Sequence, residues 1–308
     1  MKKLMFAAAA IAAGVAVADV TSANIVGYQQ VNVQNQGNTM IAPTFANVGI
    51  TGKFNLNDIS MTGYDPSEYD GEEWDGGAKR NQLILQTLTK GGVVDQQYFW
   101  LDYINGDNPD PTSEENDVFK GWYKYVGGKY VQMTNEERLA AEFDQGQAFW
   151  ILSGLKKVVK LVPVGAVGKA DVAFAIETQG NTAVGNSRPV AITLGELTAS
   201  GYDPSEYDGE EWDGGAKRNQ LILQTLTKGG VVDKQYFWLD YINGEDPDPT
   251  SEENDVFKGW YKYVGGKYIQ MTQKELDEEE FDPGQGFWFL SGLKKAGVKF
   301  NVPAVKID

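Results

Sequence analysis

GWYKYVGGKYVQM, Gly121 to Met133, is the stretch that sets the fold class of this chain. Two glycines separate two runs in which aromatic and polar residues alternate. That is the pattern of two strands joined by a two-residue hairpin turn. A turn at Gly127–Gly128 sets Tyr125 opposite Tyr130, and Trp122 opposite Met133 on the other face. The stretch returns as GWYKYVGGKYIQM at Gly259–Met271. A hairpin written twice points to one β-unit present in two copies.

The repetition extends well beyond the hairpin. Gly63–Thr134 and Gly201–Thr272 align without gaps, differing at Gln96/Lys234, Asp107/Glu245, Asn108/Asp246 and Val131/Ile269. The flanks are looser. QGNT at Gln36–Thr39 matches Gln179–Thr182, and Phe143–Lys157 matches Phe281–Lys295. A period this long is a whole domain rather than a solenoid repeat. The expected organisation is a leader over 1–18, a first β-module over 19–164 and a tandem duplicate over 165–308. Two identical surfaces on one chain favour bivalent binding or assembly, because linkage raises effective concentration.

Each copy reads as mostly strand. In the first, IVGYQQVNVQ, NTMIAPT, NQLILQTLT, QYFWLDY, QAFWILS and KKVVKLV join the hairpin to give about eight strands, as in a β-sandwich or barrel. Alternation sets Phe99 and Leu101 on one face and Tyr98 and Trp100 on the other. Helix is minor. Thr134–Glu137 and Thr272–Glu275 fit capping boxes opening short acidic helices, and Leu56–Ile59 and Leu194–Leu197 suit single turns. The fold class is therefore mainly β, two tandem β-sandwich or barrel-like modules with minor short helices. The first and last strands, SANIVGYQQVNV and VKFNVPAVKID, are exposed by position, so strand exchange between neighbours and ordinary pairing both fit.

The first residues form a basic n-region (Lys2, Lys3), an apolar stretch to Val17 and an Ala-Val-Ala site before Asp19. This is a secretory leader in its three parts, too short in its apolar run for a spanning helix. The expected location is exported: extracellular, cell surface or periplasmic, with no membrane insertion. With no cysteine, the exported chain has no disulfide framework. A net charge of −16 repels nucleic acid and anionic lipid, so no nucleic-acid partner is expected.

Zero histidines and zero cysteines remove Ser-His-Asp sites, thiolate nucleophiles and the usual zinc ligands. No phosphate-binding glycine motif is present. Carboxylates and aromatics remain. GYDPSEYDGEEWDGG (Gly63–Gly77) recurs at Gly201–Gly215. Its Asp65, Asp70 and Asp75, with Asp203, Asp208 and Asp213, are candidate oxygen ligands for Ca²⁺, the one cofactor this chemistry suggests. The spacing departs from an EF-hand, and a solvated acidic loop is the commoner arrangement. Tyr69, Trp74, Tyr207 and Trp212 stand among these carboxylates, as sugar-stacking platforms would. A Trp folded back onto its own domain is the plainer reading. Trp100 and Trp150, with apolar neighbours, read as core.

NIVGYQ after the leader, the Gly37–Pro43 run, the Gly-Trp-Tyr hairpin and a closing Gly-Gln-x-Phe-Trp strand resemble a family of uncharacterised exported bacterial β-module proteins. That resemblance implies export and β-architecture and brings no activity with it. Two functions follow as expectations. The first is a secreted or surface-associated, non-enzymatic tandem-repeat protein in structure, assembly or adhesion, with self-association as its partner chemistry. The alternative is a tandem carbohydrate-binding protein taking a surface polysaccharide, with a carboxylate glycoside hydrolase more distant.

Overall fold

The Gly127–Gly128 turn forms with φ of 59° and 83°, the pair of left-handed values that a type I′ hairpin needs and glycine tolerates. Tyr125 pairs with Tyr130, and Met133 donates its N–H to the Trp122 carbonyl at 2.9 Å. The computed structural model describes residues 26–28, 30–33, 37–45, 53–62, 82–88, 92–101, 121–154, 158–167, 171–201, 221–227, 229–239, 258–292 and 297–304.

The first copy runs through β1 (Val26–Tyr28), β2 (Val31–Val33), β3 (Gly37–Ile41), β4 (Phe54–Asn55), β5 (Ile59–Thr62) and β6 (Gln82–Leu88). It continues with β7 (Val94–Leu101), β8 (Gly121–Val126), β9 (Lys129–Gln132), β10 (Glu142–Phe143), β11 (Phe149–Ser153) and β12 (Val159–Ala166). The second copy begins with β13 (Val172–Ala175), β14 (Gly180–Gly185), β15 (Ile192–Thr193), β16 (Thr198–Ser200) and β17 (Leu221–Leu226). It ends with β18 (Val232–Leu239), β19 (Gly259–Val264), β20 (Lys267–Gln270), β21 (Glu280–Phe281), β22 (Gly286–Ser291) and β23 (Lys299–Val302).

The large antiparallel sheet of the first copy has the order β3-β11-β6-β7-β8-β9, and β14-β22-β17-β18-β19-β20 repeats it in the second. β1 and β2 pair with β12 in one continuous register, from Val26↔Ala166 to Val33↔Val159, and β5 takes the other side of β12. The counterpart is β13-β23-β16, and two-residue ribbons, β4 with β10 and β15 with β21, complete each set. The protein is mainly β, two barrel-like antiparallel units with short helices, as its alternating sequence requires.

Period-2 patterning builds each core between the large sheet and the smaller one, four-stranded in the first copy and three-stranded in the second. In the first copy, Leu83, Leu85, Tyr98, Trp100, Trp122, Phe149 and Ile151 face Val33, Met61 and Leu161. The indoles of Trp100 and Trp122 meet edge to face at 5.2 Å, as do Trp238 and Trp260. The opposite face carries Ile84, Phe99, Leu101 and Tyr123, so these strands bury side chains in both directions. Burying a side chain of this size contributes roughly 1.5–3 kcal/mol.

Both capping boxes form. Thr134 and Glu137 exchange backbone–side-chain bonds at 3.0 and 3.2 Å, opening the helix Asn135–Ala140, and Thr272 with Glu275 opens Gln273–Glu278. The single turns are 3₁₀ helices at Leu56–Asp58 and Leu194–Glu196. One expectation is corrected. The last strand is not exposed: β23 lies between β13 and β16, with Phe300 and Val302 fully buried, because its alternate apolar residues complete the core.

Candidate functional site

The candidate ligands Asp65, Asp70, Asp75, Asp203, Asp208 and Asp213, and the candidate platforms Tyr69, Trp74, Tyr207 and Trp212, lie outside the described residues. Among the described residues, no three carboxylates gather closely enough to hold a metal ion. Two other features bring functional chemistry together: the paired hairpins and the junction between the copies.

Each hairpin reaches beyond the core. Trp122 and Met133 at its base are buried, whereas Tyr125 and Val126 at its tip are each 56 % exposed. In the second copy Tyr263 and Val264 are 54 % and 53 % exposed. The rings of Phe99, Tyr125 and Tyr130 form one aromatic patch, with Tyr125 and Tyr130 at 5.0 Å and Phe99 edge-on to Tyr130 at 5.2 Å. Phe237, Tyr263 and Tyr268 reproduce it. Lys124 is bonded to Glu137 and Lys262 to Glu275, tying each hairpin to its helix. These pairings, with the cap bonds, hold Glu137 and Glu275 below the usual carboxylate range, Glu275 to about 2.

The junction has reciprocal geometry. Ile41 bridges Gln285, and Val184 bridges Gln147. Exchanging each residue for its repeat counterpart turns one bridge into the other, so a pseudo-twofold axis relates the copies. Ala42 donates to the Gly284 carbonyl at 2.9 Å, and Gly185 donates to that of Gly146 at 3.1 Å. Trp150 and Trp288, counterparts of each other, meet on this axis. Trp150 is therefore half-buried at the junction rather than inside its own core. Because the large sheets join through β3, β11, β14 and β22, the strands β9 and β20 lie at their far edges.

Four repeat positions break the symmetry. Met40 packs on Gly286, where a Cβ would stand 2.5 Å from its Cγ, whereas the reciprocal pair is Ala183 with Ala148. Gly185 meets its own counterpart Ala42, with room for one methyl only: a second Cβ would lie 2.7 Å from the first. Phe45 is matched by Arg188, the largest fully buried side chain among the described residues, which donates to the carbonyls of Pro303 at 2.6 Å and Val302 at 3.1 Å. Burial pulls the Arg188 guanidinium below its ordinary value, against the raising effect of Asp171.

The remaining perturbed groups serve caps and pairs. Burial pushes the Asp58 carboxyl up, opposed by the Asn55 N–H it accepts, and burial raises the phenols of Tyr98 and Tyr236. Lys234 bonds Glu279 at 2.8 Å, where the first copy has Gln96 and Ala141, so two differences between the copies belong to one ion pair. Sequence reasoning paired Tyr125 with Tyr130 but assigned them no role; their position beyond the core was the missing signal. The junction left one trace, the change in repeat offset from 143 before Phe54 to 138 after it. No helix among the described residues is long and apolar enough to cross a membrane. No protein-family model, curated protein or solved structure matches the chain.

Proposed function

We infer that the chain is an exported, non-enzymatic protein of adhesion or assembly that presents one contact surface twice. The observation that carries this reading is the duplicated hairpin tip, Tyr125-Val126 and Tyr263-Val264, exposed at the edge of each six-stranded sheet farthest from the strand that meets the other copy. Exposed aromatic and branched side chains contribute contact area at low entropic cost. Two such surfaces on one chain multiply avidity toward a repetitive partner or toward further copies of the chain. Lys129 and Lys267 sit on the outermost strands, and a lysine on an edge discourages direct strand addition. Contact therefore runs through the tip side chains. The leader, the absence of cysteine and the resemblance to exported β-module proteins support the location.

The test is light scattering of the leaderless chain over a concentration series, beside a Tyr125→Ser/Val126→Ser/Tyr263→Ser/Val264→Ser variant. The native chain forms concentration-dependent assemblies and the variant stays monomeric with an unchanged cooperative melting transition. Equal behaviour of the two removes the assembly reading. The continuous Phe99–Tyr130–Tyr125 aromatic patch favours a second reading, a tandem carbohydrate-binding protein. Glycan-array retention that the same variant abolishes, in a chain that does not self-associate, selects it.

A further inference from the structure

A cavity of about 720 Å³ opens between the copies, lined by Val31, Met40 and Phe45 from the first and by Leu226, Pro283 and Gly284 from the second. Its volume lies in the range of small-molecule sites. The pseudo-twofold axis supplies its control. Gly284 is the counterpart of Gly146, and the two turns are alike: φ is 74° and 81°, Gln285 and Gln147 each close a 3.0 Å backbone bond, and each glutamine's Oε1 accepts from the aspartate N–H. Val31 is the counterpart of Phe174; they pair with Leu161 and Phe300 at matching places in the sheets.

At the Gly146 turn the space is filled. The Phe174 ring lies directly on the glycine, so that a Cβ there would stand 1.9 Å from Cζ and 2.5 Å from Cε2. At the Gly284 turn the chain offers Val31 instead, and the cavity lies between the two. The wall has diverged in the same sense. The open side keeps the apolar Phe45, whereas the filled side has Arg188, turned to the last strand. Asp282 is the charged residue among the described lining, and no lysine or arginine stands with it. That edge favours a cationic or neutral substituent over an anionic one.

We propose that this cavity binds a small single-ring aromatic molecule with a neutral or cationic substituent, its ring resting on Gly284 as Phe174 rests on Gly146. The site stands apart from the hairpin surfaces, and its test does not depend on them. The probe is 2-phenylethylamine, titrated by calorimetry and ligand-observed NMR against the leaderless chain. One site per chain is expected. 3-Phenylpropionate binds at least about tenfold more weakly, from the Asp282 charge.

Val31→Phe supplies the missing ring from within and abolishes binding. Phe174→Val empties the reciprocal turn and raises the stoichiometry to two. Melting curves accompany both. Should Phe174→Val fail to fold, Val31→Phe decides alone, with its melting curve showing that it folds. A native chain that ignores the amine at about 10 mM overturns the proposal, as does a Val31→Phe chain that binds undiminished.

Discussion

Trp150 and Trp288 stand edge to face across the junction, ring centroids 6.4 Å apart, although each is the other's counterpart in the repeat. Each indole also receives a turn from the opposite copy. A Cβ on Gly230 would lie 2.9 Å from Trp150 Cη2, and one on Gly92 would lie 3.2 Å from Trp288 Cη2. One self-matching contact thus locks four pieces of chain together.

Gly230 and Gly266 share a φ of 84°, but a Cβ at Gly266 meets nothing within 4 Å. Both alanine variants carry the cost of a left-handed residue, about 1 kcal/mol. Gly230→Ala adds an overpacking cost of about 1–3 kcal/mol against Trp150. Urea unfolding of the pair reads that difference directly, and equal midpoints would deny the indole contact.

The Met40–Gly286 contact admits a double-mutant cycle. Gly286→Ala is expected to destabilise the chain by about 1–3 kcal/mol, since its Cβ falls 2.5 Å from Met40 Cγ and 2.9 Å from the Met40 backbone carbon. Combining it with Met40→Ala recreates the small pair present at Ala183 and Ala148 and recovers the side-chain part of the loss, while the contacts with the Met40 and Ile41 backbone remain. A non-additive cycle is the expected signature.

Arg188 holds the last strand by two carbonyls. Arg188→Ala leaves the Val302 and Pro303 oxygens without their charged donor and costs about 2–4 kcal/mol. Hydrogen exchange at Phe300 and Val302 rises with it, while the first copy's Leu161 is unaffected.

Acid acts on the hairpin through Glu275. Its folded value of about 2 lies below the ordinary value of 4.5, with the Lys262 bond as the largest cause. The folded state therefore holds this proton more weakly than the unfolded state. The stabilisation is complete above the unfolded value and is lost as pH falls through about 2. Glu275→Gln lowers the melting temperature at neutral pH, and the gap to the native chain closes near pH 2. A constant gap would mean that the charge contributes nothing.

The hairpin, both capping boxes and the faces of Tyr98–Leu101 were legible because each depends on residues a few positions apart. Turn chemistry and period-2 alternation act locally, so the letters suffice. The junction was not legible. Met40 touches Gly286, and Phe174 covers Gly146, across separations that no local pattern encodes. The burial of Phe300 and Val302 likewise needed β13 and β16 placed on both sides. The change in repeat offset marked where the copies diverge without saying what met there.

The unequal pairs at the junction make the halves of this chain a matched set. Cut between Ala166 and Val172, each half keeps its own sheets, since among the described residues no sheet contains strands of both copies. Two first halves would press Met40 against Ala148, and two second halves would leave Ala183 facing Gly286 across a void. A first half and a second half recover the native fit. Duplication supplied two copies of a self-complementary patch, and divergence has turned that patch into a plug and a socket, the property a split-protein reporter requires.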